Sequence, residues 1–189
     1  MRAVHRQFAR KKDSRLMSKN YSLAIYAIHP IMYQTPIFKN IEKFCRNKNL
    51  DMEVLFGDDL TLKDVFYEET RVTFRPDTPT LLDGYKYRFL KNYAHDARAG
   101  FFSRINPGIL TELFTNHYDV LLIHGFDRIT SLLAILGAKL TGTKLIWRGE
   151  NTVKAKHKRT GVKGTIKYSL IRFLFKLCDA VMYSCKGNH

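Results

Sequence analysis

Val120-Leu121-Leu122-Ile123-His124-Gly125 is a run of four apolar residues closed by a histidine and a glycine. It is too short for a helix and too continuously apolar for a strand with one wet face. Both faces must therefore be covered, as they are for strands inside a parallel sheet. Residues 23–28, followed by His29-Pro30, and residues 145–147, followed by Arg148-Gly149-Glu150, have the same form. Between these runs lie stretches with helical periodicity. After the first, Thr35 is placed to cap a helix with Pro36 at its first position, and Ile37, Ile41, Phe44 and Cys45 recur on one face. Residues 51–56 read as a second strand. Residues 81–85 read as a turn into an alternating strand through Tyr85, Tyr87 and Phe89. Asn106-Pro107-Gly108 opens a helix with Ile109, Leu110, Leu113 and Phe114 inward, and a largely apolar helix over 128–140 stops at Gly142. A basic amphipathic helix over 165–177 and a strand over 180–183 complete the order.

Strand and helix alternate throughout, which predicts an α/β, doubly wound, mainly parallel sheet with helices on both faces, a Rossmann-like lobe. In such sheets ligands bind beyond the carboxyl ends of the strands. The candidate site residues follow from that rule: His29, Tyr33 and Gln34 after the first strand, His124 and Gly125 after the central one, and Arg148, Gly149, Glu150 and Asn151 after the next. Tyr33 and Gln34 could offer a ring and an amide to a sugar hydroxyl, or simply pack over the first helix. Either histidine could contact a ligand or be satisfied within its own turn. Arg148 supplies a planar donor fork that Glu150 can orient, or the two form a structural ion pair. The aromatic-rich stretch from Phe66 to Phe102 reads as a second hydrophobic cluster beneath a hairpin, or as stacking platforms for a sugar ring.

Charge is placed at the ends. The chain of 189 residues has a formal net charge of +15. Residues 1–19 hold +6, residues 148–189 hold +8, and the middle is nearly balanced at +1. Residues 1–19 lack hydrophobic periodicity and read as a flexible basic arm, with Met17 as an alternative start. Lys154, Lys156, Lys158, Arg159, Lys163 and Lys167 are interleaved with apolar residues, as in a solvated helix rim or a helix lying on an anionic membrane surface. No apolar run approaches the roughly 18–20 residues that span a bilayer. With no secretory signal pattern and three cysteines lacking metal-ligand spacing, the expected setting is cytoplasmic, peripheral at the inner face of the membrane.

Several activities have no support. The turn after the first strand is not GxGxxG, and GxxxxGK[ST], GxSxG and HExxH are absent. No nucleic-acid-binding motif is present, so nucleic acid is not an expected partner, although a basic tail would bind phosphate backbones without specificity.

Five segments in order carry a resemblance: residues 29–36 (from His29-Pro30-Ile31-Met32 to Thr35-Pro36), residues 55–60, residues 81–90, Ile105-Asn106-Pro107-Gly108, and Trp147-Arg148-Gly149-Glu150-Asn151. Together the region resembles the N-terminal, acceptor-side domain of family-4-type glycosyltransferases of the GT-B fold, over roughly residues 20–185. The resemblance implies two Rossmann-like lobes facing a cleft, sugar transfer with retention, and neither metal nor cofactor, the nucleotide-sugar donor being a substrate held mainly by the second lobe. It implies a glycan or lipid-linked acceptor and leaves the catalytic base unassigned. Residues 186–189 would begin the interdomain linker. The C-terminal donor lobe, with its acidic motif and diphosphate-binding residues, has no counterpart here, so that lobe is an expected partner and the chain alone is expected to be inactive. The rival reading is a non-catalytic basic Rossmann-like module that holds an anionic ligand or nucleic acid.

Overall fold

The computed structural model describes residues 20–63, 65–67, 72–74, 78–95, 100–126, 128–149 and 162–183. Glu150, Asn151, Lys154, Lys156, Lys158, Arg159 and the basic arm of residues 1–19 lie outside them. The elements are β1 (Tyr21–Ala27), α1 (Thr35–Arg46), β2 (Leu50–Phe56), β3 (Val65–Tyr67), β4 (Val72–Phe74), α2 (Thr78–Leu82), β5 (Tyr87–Phe89), α3 (Gly108–Asn116), β6 (Val120–His124), α4 (Ile129–Thr141), β7 (Lys144–Gly149), α5 (Val162–Leu177) and β8 (Ala180–Tyr183). Lys163 and Lys167 thus fall on α5.

Six strands form one sheet in the order β5-β2-β1-β6-β7-β8, and every pairing in it is parallel. The chain winds outward from β1 in one direction, returns, and winds outward from β6 in the other. Short β3 and β4 form a separate antiparallel pair. This is the doubly wound Rossmann-like α/β fold.

Alternation along the strands sends side chains to two cores. Ile25, Ala27, Val54, Phe56 and Leu122 pack with Phe38 and Cys45 of α1 on one face. Tyr26, Leu121, Ile123 and Leu145 pack with α3, α4 and Leu174 of α5 on the other. Helices therefore cover both faces, which is why β1 and β6 could be apolar throughout.

Some local expectations are corrected. Thr35 does not cap α1; it is the first helical residue, and its hydroxyl donates to Leu81 O at 3.1 Å and Ile31 O at 3.3 Å. The inward stripe of α1 runs through Phe38 and Cys45, and Phe44 is exposed. Phe114 of α3 is likewise exposed. The strand at 145–147 is longer than the apolar run, so Arg148 and Gly149 belong to β7 itself rather than to the turn after it. The helix stop at Gly142 is as expected, with φ of +76°.

Candidate functional site at the carboxyl edge of the sheet

The switch point lies between β1 and β6, where the winding direction reverses. Tyr26 of β1 is in register with Ile123 of β6, and His124 of β6 is in register with Arg148 of β7. The segments that leave these strands therefore emerge side by side, and His29, His124, Gly125, Arg148 and Gly149 share one edge of the sheet. Gly125 turns the chain away with φ of +73°, a region L side chains rarely adopt. Gly149 lies against the indole of Trp147, leaving no room for a Cβ. That indole stacks on Phe126, ring centroids 5.2 Å apart, and meets Phe175 edge-on at 4.5 Å, forming an aromatic wall at the ends of β6 and β7.

The loop after β1 separates the two residues expected from it. Gln34 is buried at the start of α1, and its Oε1 finds no hydrogen-bond partner among the described residues. Tyr33 is exposed. His29 is half-buried, and its Nδ1 also lacks a partner among the described residues. Burial lowers its pKa, with the Asp58 carboxylate raising it and Arg104 and Arg128 lowering it further.

Beneath this loop lies a polar network that sequence reasoning did not identify. The β1–β2 ladder continues past the strand ends: Gly57 N–H donates to Ala27 O and Asp58 N–H to Ile28 O, each at 3.0 Å. This sets Asp58 beside His29. Its Oδ1 accepts from Leu60 N–H at 2.9 Å, and its other oxygen pairs with the Arg104 guanidinium, both side chains being buried. Burial holds the Asp58 carboxyl above the ordinary carboxylate range in spite of that partner.

Asn106 is fully buried, and its Nδ2 donates to Gly57 O at 2.7 Å and Leu90 O at 3.3 Å. Its Oδ1 accepts from the Thr130 hydroxyl at 2.8 Å, while that hydroxyl accepts from Asn106 N–H at 3.0 Å. Asn106 thus ties the ends of β2 and β5 to the first turn of α4, a role beyond opening a helix. Tyr26 lies under the same group, and burial pushes its hydroxyl up to about 12. Asn92 pins the loop after β5 onto this edge, donating to Ser103 O at 3.0 Å and accepting from Ile105 N–H at 3.0 Å.

His124 is the most perturbed imidazole. Burial, and secondarily the Arg148 guanidinium, lowers its pKa to about 4. The ring is therefore neutral near pH 7, beside the Arg148 cation. The sign for stability follows. An unfolded histidine protonates near 6.5 and the folded one does not, so stability is complete above that value. It falls as pH drops from about 6.5 to 4, by on the order of 3 kcal/mol. His29 adds in the same direction. Melting temperature measured across this range should show the slope, and His124→Gln should flatten it.

No protein-family model matches the chain, and no curated protein matches it. Among solved structures, it is similar to that of a protein from Listeria monocytogenes described as a UDP-N-acetylglucosamine 2-epimerase, with a TM-score of 0.51 and 11% sequence identity. The match covers 90% of this chain and 40% of that one. At this identity the likeness is one of fold.

Proposed function

We propose that this chain is the acceptor-side lobe of a sugar-processing enzyme, a glycosyltransferase that moves a sugar from a nucleotide-sugar donor to a glycan or lipid-linked acceptor in the cytoplasm. The observation that carries the reading is the pairing of a neutral His124 with Arg148 at the carboxyl edge beside the β1–β6 switch point, with His29 following the neighbouring β1. That edge offers directional polar groups for the hydroxyls of a sugar. The fold it shares with the Listeria protein, whose description names a nucleotide sugar, supports the same direction. The leaving diphosphate needs preorganised positive groups around it. A second lobe facing this edge would supply most of them, so no cofactor or metal is assigned to this chain.

Imidazole resonances of His29 and His124, followed by NMR against a panel of methyl glycosides and against uridine diphosphate, test the reading. A glycoside should shift both resonances while uridine diphosphate shifts neither. His124→Ala should weaken glycoside binding at least tenfold, about the loss of one good polar contact. Silence toward every glycoside, or a response to uridine diphosphate alone, would remove the acceptor role.

A further inference from the structure

The helices on one face of the sheet carry exposed apolar side chains as well as buried ones, α4 most of all. The inner side of α4, through Ala134, Ile135 and Ala138, is buried in the core. Its outer side carries Leu136 and Leu140, and the neighbouring helices add Phe114 of α3 and Leu170 and Phe173 of α5. These five residues are 48% to 63% exposed. A surface helix in water presents polar residues outward, and one that is apolar all round is covered.

The charge on this face is predominantly positive. Glu112 is the sole acid within α3, α4 and α5, and it is occupied by Arg88 at 3.1 Å and by the Asn116 amide at 2.7 Å. Asp179, just after α5, is held by Lys139 at 2.9 Å and Lys144 at 3.0 Å. Helix α5 contains Lys163, Lys167, Arg172 and Lys176 and no acid, and Arg172 and Lys176 flank Phe173 on the exposed side.

We propose that the outer face of α3, α4 and α5 seats on an anionic lipid surface. Exposed apolar side chains with the cations of α5 beside them suit a headgroup layer, where the rings and aliphatic chains enter the acyl boundary and the cations meet phosphates. A second copy would bring the same positive charge against itself. The carboxyl edge stays clear, because the docking face is a side of the sheet rather than its end. The proposal stands independently of the sugar reading, since it concerns a different surface and its test uses no sugar.

The full chain is sedimented with phosphatidylcholine vesicles and with vesicles containing about 30% phosphatidylglycerol, the anionic lipid supplying the charge attraction. It should bind the anionic vesicles and leave the neutral ones. Leu136→Ser, Leu140→Ser and Phe173→Ser combined should lower partitioning at least tenfold, while Phe101→Ser with Phe102→Ser, on exposed rings elsewhere, should leave it unchanged. A Phe173→Trp variant read by brominated-lipid quenching gives an independent measure if the triple variant folds poorly, and its emission in excess of the unsubstituted chain's Trp147 should be quenched in anionic vesicles. Absence of anionic-vesicle binding would overturn the proposal. So would binding indifferent to the triple substitution, an unquenched Trp, or a dimer in sedimentation equilibrium that the triple variant dissociates.

Discussion

Asn106→Ala is expected to destabilise the domain by about 3 kcal/mol, lowering its melting temperature by roughly 6–12 °C. The residue is fully buried, and truncation strands two buried carbonyls, Gly57 O and Leu90 O, that water cannot reach. It also removes the acceptor of the Thr130 hydroxyl. Each buried group left unpaired costs about 1–3 kcal/mol, and local relaxation keeps the total below the simple sum. Asn106→Asp should be no milder, because a carboxylate cannot donate to either carbonyl. Thermal unfolding of the purified chain measures the effect. A loss under about 0.5 kcal/mol would show that these bonds do not hold the edge together.

Arg104→Met should be comparable or larger, about 3–5 kcal/mol at neutral pH, because it leaves the buried Asp58 carboxylate without its counter-charge. The pH dependence separates this cause from lost packing. The Asp58 carboxyl already titrates above its unfolded value, so the folded state holds its proton to higher pH than the unfolded chain does. Stability therefore falls as pH rises through that window. Removing Arg104 extends the window upward, and the deficit should shrink as pH is lowered toward about 4, where the folded variant holds Asp58 as the neutral acid. Exchanging both partners, Asp58→Leu with Arg104→Met, should recover much of the loss. Urea unfolding at pH 7 and pH 4.5 reads all three variants. An equal deficit at both pH values would assign the effect to packing alone.

What the sequence disclosed was whatever depends on local pattern. Val120–His124 had to be covered on both faces, and it is the strand beside β1 at the centre of the sheet. Because strand ends define the edge, His29, His124 and Arg148 could be gathered there from sequence alone. What stayed hidden depends on partners distant in the chain. Nothing around Asp58 announces Arg104, and nothing around Asn106 announces the carbonyls of Gly57 and Leu90. The same limit misplaced two aromatics. Phe44 and Phe114 continue their helical stripes, but the neighbouring elements do not reach over them, and Phe38 takes the inward place on α1. Thr35 reads as a cap because its hydroxyl oxygen could accept from a free N–H of the first turn, but that hydroxyl instead donates to Leu81 O on another element.

Ser22 and Asp119 tie the start of β1 to the start of β6, with Ser22 N–H donating to Asp119 Oδ2 at 3.0 Å and Asp119 N–H donating to Ser22 O at 3.1 Å. Strand β1 can meet β2 early on the ribosome, but its other flank stays bare until the polypeptide has been made through His124. Contacts of such long sequence separation form slowly, and an unpaired apolar strand invites pairing with other nascent chains. Between synthesis of Phe56 and synthesis of His124, β1 is expected to hold an unpaired apolar edge.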